Sequence, residues 1–515
     1  MEGMKNVLEY LENTAAVMGD KTAVIADDGE MTFAELNAAA RKIGTGLMKY
    51  TDVRRPIPIL MNKGCHCLAS FFGVVEAGCF YSLLNPMLPA SRLAQILDVL
   101  DADVVLADKE FYDLADTLSD RPVLLMEEFL EEEAQEDTAA LARVREQMID
   151  KDPLYAFFTS GSTGVPKGVL VNHLSVIDFV EEYTQLIDLK SEDRIANQAP
   201  FDFDVSVKDI YPAMKTGATL VVCARRLFLQ PASLVDVLCD QKITVMTWAV
   251  SGLVLISATH GLDYRVPDTV RVVAFSGEQM PMKHLKVWMS KLPNAQFINL
   301  YGPTEITCNC TYFKVPRNME FPQGIPIGKA FSNERVFLLG EANQEITEPG
   351  QIGEICVAGT ALALGYYRNP EQTALHFCQN PLIHHYEERI YRTGDLGSYL
   401  GDGNLMFRGR RDFQIKYMGH RIELEEIERA MMKADGVMRA CVVFDQEKEK
   451  MYGWFVGNAD VASVHEYLKA NLPGYMVPGK LIKYEEETLP KTKNGKIDRK
   501  LLLERAIEEG RKKNG

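Results

Sequence analysis

Short apolar runs alternate with helix-type patterns along much of the chain, and this alternation constrains the fold more than any other feature. The apolar runs Ile57–Met61 and Val104–Ala107 are separated by two segments with helical periodicity, Leu68–Glu76 and Ala90–Leu100. The same alternation continues from residue 169 to residue 300. A βα repeat of this kind predicts layered α/β subdomains with largely parallel sheets.

The pattern changes after residue 345 to short strands with glycine-rich turns, which predicts a β-rich subdomain. Gly409–Asp412 has the composition of a junction, and an amphipathic helix follows at Glu423–Ala434. Because 515 residues are too many for one compact core, we expect two domains. The first is a large N-terminal domain over residues 1–409, and the second is a small α+β domain over residues 410–515.

Charge and hydropathy exclude several classes of protein. The net charge of −16 argues against nucleic acid as a partner. Met1–Glu12 has no apolar core of a signal peptide, and no segment approaches the roughly 20 apolar residues of a membrane span. We therefore expect a cytoplasmic protein without membrane insertion. The pairs Cys65/Cys67 and Cys308/Cys310 lack the spacing of a zinc site.

One loop, Phe158–Gly168, combines four hydroxyl side chains, three glycines and a lysine. Glycine lets backbone N–H groups approach an anion closely, and Lys167 adds a positive charge. This composition suits a polyphosphate, although the spacing is not that of a Walker loop. An ordinary glycine/serine turn between two strands is the alternative for this segment taken alone.

Several further motifs occur in a fixed order and together identify a resemblance. They run from this loop through Phe203–Ser206, Asn299–Glu305, Gly353–Ile355, Tyr391–Leu396, Gly409–Lys416, Leu472–Pro478 and Asn494–Arg499. The ordered set closely resembles the adenylate-forming superfamily, within it the amino-acid-activating adenylation enzymes. The segments on either side of Phe203 are most similar to D-alanine:carrier protein ligases.

The resemblance implies two half-reactions. An amino acid carboxylate first attacks the α-phosphate of ATP, with Mg²⁺ as the metal, to give an aminoacyl-adenylate and pyrophosphate. A phosphopantetheine thiol on a carrier protein then takes the aminoacyl group and releases AMP. The small C-terminal domain is expected to rotate between the two steps about a hinge at Asp412.

The resemblance also implies roles for individual residues. Glu305 would bind the metal, Thr304 the α-phosphate, Tyr301 the adenine face and Asp395 the ribose hydroxyls, with Arg410 nearby. Lys496 would bridge the substrate carboxylate and the α-phosphate, which makes Lys496, Thr304 and Glu305 the expected catalytic group. The expected nucleotide-binding residues are Thr159, Ser160, Gly161, Ser162, Thr163, Gly164, Lys167, Asn299, Tyr301, Gly302, Asp395 and Arg410.

Asp204 points to an amino acid substrate, because the resemblance pairs this carboxylate with the α-ammonium and a buried carboxylate without a partner is costly. The other expected pocket residues are Val205, Lys208, Trp248, Ala274, Ser276, Leu300, Cys308 and Asn309. D-alanine ligases lack a lysine at the position of Lys208. If Lys208 points inward it favours a polar or acidic substrate, and if it points outward a small residue such as D-alanine remains expected.

We therefore expect a stand-alone amino acid–carrier protein ligase, with D-alanine or another small amino acid as substrate. A nonribosomal-peptide adenylation enzyme for a polar or acidic L-amino acid is the alternative. The basic C-terminal residues suggest an acidic carrier protein that acts in trans. An acyl-CoA synthetase, disfavoured by Asp204, and a catalytically silent nucleotide-binding protein are the remaining classes.

Overall fold

The computed structural model describes residues 3–131, 135–160, 166–446, 448–485, 490 and 497–512. The strands are β1 Thr22–Ala26, β2 Gly29–Thr32, β3 Pro56–Leu60, β4 Phe80–Leu84, β5 Val105–Ala107, β6 Val123–Leu125, β7 Pro153–Thr159, β8 Lys167–Asn172, β9 Arg194–Asn197, β10 Thr219–Val222, β11 Val245–Ala249, β12 Val272–Ser276, β13 Gln296–Tyr301, β14 Thr311–Lys314, β15 Lys329–Ala330, β16 Glu334–Leu339, β17 Glu345–Ile346, β18 Gly353–Gly359, β19 Gly365–Tyr366, β20 Phe377–Gln379, β21 Arg389–Tyr399, β22 Leu405–Arg410, β23 Gln414–Tyr417, β24 His420–Glu423, β25 Val437–Asp445, β26 Lys450–Gly457 and β27 Lys480–Tyr484.

The helices are α1 Leu8–Met18, α2 Phe33–Leu47, α3 Cys65–Glu76, α4 Ala90–Leu100, α5 Tyr112–Leu118, α6 Thr138–Gln147, α7 His173–Leu186, α8 Val207–Thr216, α9 Pro231–Asp240, α10 Val250–Ala258, α11 Gly261–Tyr264, α12 Met282–Lys291, α13 Pro370–His376, α14 Leu424–Lys433, α15 Val461–Asn471 and α16 Arg499–Lys512. No helix in the described part of the chain is long and apolar enough to cross a bilayer.

Two large sheets carry the layered α/β region. One has the strand order β15-β14-β13-β12-β11-β9-β10-β1-β2. Its central strands β9 to β13 pair in parallel, and β14 then pairs antiparallel with β13 at one edge. The other has the order β19-β8-β7-β4-β3-β5-β6. In β3 and in β12 every residue is buried, as expected for parallel strands covered on both faces. The α/β architecture expected from the alternating pattern is confirmed.

Local sequence signals explain where some elements begin. Thr32 precedes α2 and accepts a hydrogen bond from the Glu35 backbone N–H at 3.2 Å, while the Glu35 carboxylate accepts from the Thr32 backbone N–H at 2.8 Å. This reciprocal pair is a capping box, which satisfies two backbone donors at the helix start. The turn at residues 27–29 joins β1 to β2, which pair antiparallel.

An antiparallel sheet with the order β17-β16-β18-β21-β20 forms the β-rich part, and β22 pairs with β21. Here the structure differs from a local expectation. Because of Gly394, the sequence predicts a turn around Asp395, yet this segment lies inside the continuous strand β21. Gly394 adopts φ +72°, so it produces a local irregularity rather than a chain reversal.

The chain divides into two compact units. One comprises Met1–Pro86, Val99–Phe158 and Gly168–Arg411, and the other comprises Met87–Asp98, Thr159–Lys167 and Asp412–Gly515. The second unit contains the hairpin β23–β24, the three-stranded sheet β25-β26-β27 and the helix α14, whose Ile427 and Met431 are fully buried. The boundary between the two units follows Arg411, which lies within the segment Gly409–Asp412 that has the composition of a junction.

Candidate active site

Asp204 lies in a short 3₁₀ turn, Asp204–Ser206, that leads directly into α8. Its side chain is buried, and this burial raises the pKa of the carboxyl. The hydroxyl of Thr304 and the charge of Lys208 oppose this rise. The structure therefore places a buried carboxyl close to Thr304, the residue to which the resemblance assigns the α-phosphate.

Lys208 lies one turn further along, in the first turn of α8, and is 1% exposed. Its Nζ donates hydrogen bonds to Ser276 Oγ at 2.9 Å and to Asn309 Oδ1 at 3.2 Å. Burial lowers the pKa of this lysine. Of the two orientations left open by the sequence, the structure adopts the inward one.

A tight turn after β13 brings Cys308 and Asn309 to the same place. Thr307 and Cys308 both have positive φ, +49° and +72°, which is uncommon for residues other than glycine. The Cys308 thiol donates to the Asp204 carbonyl oxygen at 2.9 Å. Gly302 permits this turn, because a Cβ there would lie 2.5 Å from Asn309 Cα.

The remaining pocket residues divide between the two faces of the sheet. The β11–β12 register pairs Thr247 with Ala274 and Trp248 with Phe275, so Trp248 lies on the face opposite Ala274 and Ser276. The Trp248 indole N–H instead donates to the Ala196 carbonyl at 2.8 Å. Ala274, Ser276 and Leu300 are brought to the pocket face, and Trp248 is not brought there. Val205, next to Asp204, is half-buried. On β11 the pocket face carries Thr247.

A second buried network lies behind this pocket. Lys63 Nζ donates to Asn197 Oδ1 at 3.0 Å and to the carbonyl oxygens of Gln198 and Ala199, each at 3.2 Å. Asn197 Nδ2 in turn donates to Asp209 Oδ2 at 2.9 Å. Burial lowers the pKa of Lys63 to about 8 and raises that of Asp209 to about 7. The network thus holds the segment that leads to Asp204.

Asp395 is held between two donors. Tyr301 Oη donates to Asp395 Oδ2 at 2.5 Å, and Arg410 pairs with Asp395 Oδ1. Asp395 is 1% exposed, and burial raises the pKa of Tyr301 well above its usual value. Carboxylate oxygens can each accept more than one hydrogen bond, so this carboxylate retains the capacity to accept ribose hydroxyls. Nearby, Asn299 Nδ2 donates to the Pro326 carbonyl oxygen at 2.8 Å.

Glu305 is fully buried in the 3₁₀ turn Thr304–Ile306, and Tyr366 Oη donates to its Oε1 at 2.7 Å. Mg²⁺ prefers oxygen ligands of this kind and is usually held by one or two carboxylates together with substrate phosphates. The donor type and the neighbouring Thr304 therefore fit the metal that the sequence motif implies.

Some residues expected at the site belong to the second compact unit or lie outside the described residues. Thr159, Ser160 and Lys167 belong to the second compact unit, where Ser160 Oγ donates to the Arg421 carbonyl oxygen at 2.9 Å. Asp412 lies at the start of the final segment of this unit, and its Oδ1 accepts from the Gln414 backbone N–H at 3.2 Å. Five expected residues, Gly161, Ser162, Thr163, Gly164 and Lys496, lie outside the described residues.

The sequence profile of one family matches residues 11–367, and its description is AMP-binding enzyme. The chain belongs to this family. The resemblance to the adenylate-forming superfamily is therefore confirmed. Zwittermicin A synthase ZmaJ of Bacillus cereus is 32% identical over 499 residues, which cover 94% of this chain and 92% of that protein.

Other comparisons agree with the family assignment. Tyrocidine synthase 3 of Brevibacillus parabrevis is 32% identical over 503 residues, covering 96% of this chain. The chain spans only 8% of the length of that relative. The crystal structure of the Vibrio cholerae adenylation domain AlmE in complex with glycyl-adenosine-5'-phosphate matches with a TM-score of 0.84 at 20% identity, over 99% of each chain. This likeness establishes the adenylate-forming enzyme fold.

Sequence reasoning did not predict three residues that neighbour the candidate site. Thr247 faces Ala274 and Tyr366 contacts Glu305, whereas Lys63 contacts the segment 197–199 that precedes Phe203. Lys63 and Tyr366 are far in sequence from the motifs they contact, so no local pattern connects them. For Thr247, the period-2 alternation of β11 would have identified the correct face once the position of Ser276 was known.

Proposed function

We propose that this protein activates an amino acid with ATP as an aminoacyl-adenylate and transfers the aminoacyl group to the phosphopantetheine thiol of a carrier protein. The observation that carries the proposal is the proximity of the Thr304 hydroxyl to the buried carboxyl of Asp204. It joins a carboxylate suited to an α-ammonium with a hydroxyl suited to the α-phosphate. The two reacting groups of an amino acid and ATP would thus meet at one place.

The described residues supply the interactions that the first step requires. Asp204 pairs with the α-ammonium and orients the substrate carboxylate. Thr304 donates to the α-phosphate, where negative charge develops in the transition state. Glu305, oriented by Tyr366, holds Mg²⁺, which supplies charge neutralisation on the phosphates. Asp395, held by Tyr301 and Arg410, accepts hydrogen bonds from the ribose.

The proposal also assigns roles to residues outside the described part of the chain and to residues of the second unit. Lys496 bridges the substrate carboxylate and the α-phosphate, and Gly161–Gly164 with Lys167 contact the terminal phosphates. Asp412 is the hinge about which residues 410–515 reorient between the steps. An acidic carrier protein acting in trans is the partner, since the C-terminal segment is rich in lysine and arginine.

The comparisons support an amino acid rather than a fatty acid as substrate. AlmE was solved with glycyl-adenosine-5'-phosphate, which is an aminoacyl-adenylate. An acyl-CoA synthetase would have no ammonium to pair with Asp204. The preference expected from sequence was D-alanine or another small amino acid, with a polar or acidic L-amino acid as the alternative. The inward Lys208 favours the alternative.

The test is ATP–pyrophosphate exchange with both enantiomers of the common amino acids, each measured with and without Mg²⁺. We expect exchange that depends on one amino acid and on the metal. A fatty acid panel with coenzyme A serves as the contrast. Exchange with no amino acid, together with AMP release that requires coenzyme A and a fatty acid, would overturn the proposal.

A further inference from the structure

Lys208 is a buried cation whose hydrogen-bond partners are neutral. Its Nζ donates to Ser276 Oγ and Asn309 Oδ1, and the residue is 1% exposed. No carboxylate oxygen of the described residues lies within 4.0 Å of this nitrogen. An ammonium group has three N–H donors, so two acceptors leave one donor for a further partner.

The position of this cation coincides with the end of the sheet where ligands bind. Ser276 is the last residue of β12, and Asn309 follows the turn after β13. In open α/β sheets, ligands bind beyond the carboxyl ends of the strands. Asp204 lies at this same end, where burial raises the pKa of its carboxyl and the charge of Lys208 opposes that rise. A second buried carboxyl, that of Asp209, also acts on Lys208, but it already belongs to the buried network behind the pocket, and burial raises its pKa to about 7.

The charges of the pocket restrict which amino acid can bind. In the free protein, the charges of Asp204 and Asp209 both act on Lys208, although neither carboxylate lies within 4.0 Å of its Nζ. The α-ammonium of a bound amino acid takes the charge of Asp204. If the side chain of that amino acid is neutral, Lys208 is left with Asp209 alone, whose carboxyl is already compensated by Asn197 and Lys63, and a poorly compensated buried ammonium is unfavourable. A side-chain carboxylate supplies the missing charge and accepts the remaining N–H.

We propose that the substrate is an α-amino acid with a side-chain carboxylate, and that Lys208 is the residue that selects it. Ser276 and Asn309 hold the ammonium in place, so that its third donor points to the substrate. This inference rests on the proposed adenylation function and deepens it by naming the substrate class. It also replaces the small, uncharged substrate expected from the overall resemblance.

The first experiment compares acidic amino acids with their amides in pyrophosphate exchange. Aspartate, glutamate and 2-aminoadipate are measured against asparagine, glutamine, alanine, glycine and serine, in both enantiomers. We expect one acidic amino acid to exceed its own amide by about 100-fold or more in kcat/KM, because the two differ mainly in the charge that meets Lys208. This comparison needs no variant.

The second experiment removes the charge. Lys208→Met keeps the length of the side chain, and we expect kcat/KM for the acidic substrate to fall about 100-fold, with the preference over the amide lost. The KM for ATP should stay within about twofold. Lys215→Met is the matched control, because Lys215 is on the same helix but pairs with Glu181. Thermal melting of both variants checks folding.

The outcomes separate this inference from the proposed function. Exchange supported best by alanine, glycine or serine overturns the acidic substrate while leaving amino acid adenylation intact. Retention of the acidic preference in a folded Lys208→Met variant overturns the role of Lys208. Exchange with no amino acid at all overturns the proposed function and this inference together. If Lys208→Met does not fold, the wild-type comparison of acid with amide decides.

Discussion

Tyr301 Oη donates a hydrogen bond to Asp395 Oδ2 at 2.5 Å, and so connects the end of β13 to the middle of β21. The two residues are 94 positions apart in sequence. Because Asp395 is almost completely buried, its carboxylate depends on Tyr301 and Arg410 for compensation. The hydroxyl of Tyr301 therefore orients the group proposed to bind ribose.

Tyr301→Phe keeps the aromatic face and removes the hydroxyl that donates to Asp395. We expect the KM for ATP to rise about 10-fold, since a hydrogen bond to a charged group contributes about 1.5–3 kcal/mol. The KM for the amino acid should change little. Tyr312→Phe, on the adjacent strand β14, is the control. An unchanged KM for ATP in Tyr301→Phe would mean that Asp395 is not oriented by this tyrosine.

Asp204→Asn removes the proposed partner of the α-ammonium while keeping the size of the side chain. We expect kcat/KM for the amino acid to fall at least about 100-fold, because the ammonium loses its buried counter-charge. ATP binding, measured by calorimetry, should persist. Asp202→Asn, two residues upstream, is the matched control. Full amino acid activity in Asp204→Asn would contradict the assignment of this carboxylate.

Lys63→Met tests the network behind the pocket. Its three hydrogen bonds hold residues 197–199, which lead to the turn containing Asp204. We expect the KM for the amino acid to rise about 10-fold or more while the KM for ATP is unchanged, with partial recovery in Lys63→Arg. Lys21→Met, which removes a lysine bonded to two other carbonyls, is the control. Equal effects on both substrates would indicate only general destabilisation.

Glu76 gives a prediction about pH. It is 3% exposed, its nearest cation is Arg145 at 3.7 Å, and burial raises its pKa to about 7. The unfolded chain loses this proton near pH 4.5, so the folded state binds more protons between pH 4.5 and 7. The contribution of Glu76 to stability therefore falls as pH rises through this window and stays low above it.

Glu76→Gln removes this dependence. We expect the melting temperature of Glu76→Gln to exceed that of the wild type at pH 8 by several degrees, and the difference to shrink towards pH 5. Glu146→Gln, an exposed change on the neighbouring helix α6, should have little effect at either pH. A constant difference between Glu76→Gln and wild type across pH would contradict the raised pKa.

Lys496→Ala separates the two half-reactions. We expect this variant to lose adenylation, measured by pyrophosphate exchange, because the transition-state charge at the α-phosphate is no longer neutralised. Transfer of the aminoacyl group from preformed adenylate to a carrier thiol should be largely retained. Lys500→Ala, four residues further on, is the control. Equal loss of both steps would contradict the proposed role of Lys496.

Sequence predicted the elements of this fold more closely than it predicted the pocket. α4 begins and ends where the helical pattern does, and β3 and β5 differ from their apolar runs by no more than one residue at each end, because burial sets those limits locally. Asp395 differed from expectation: Gly394 is a turn signal, but pairing of β21 with β18 and β22 overrides it. Such pairing joins distant segments, so no local pattern reports it.

The pocket shows the same limit at single residues. Asp204, Lys208, Ser276 and Asn309 were all expected from the family resemblance, and the structure brings them close together. The direction of Lys208 could not be decided, because it depends on acceptors about 70 to 100 positions away. Trp248 was expected in the pocket from the family resemblance, whereas the register of β11 with β12 puts Thr247 on the pocket face.

The close approach at Gly302 has a consequence for changing the substrate range by laboratory evolution. A Cβ at this position would also lie 2.7 Å from the Cys308 carbonyl oxygen, so the backbone of the turn is fixed against the end of β13. The side chains at 308 and 309 project from this fixed backbone, and Lys208 links Asn309 to Ser276 at the end of β12. Libraries that randomise positions 276, 308 and 309 while keeping Gly302 should therefore yield folded enzymes with altered selectivity, whereas libraries that include position 302 should yield mainly misfolded ones.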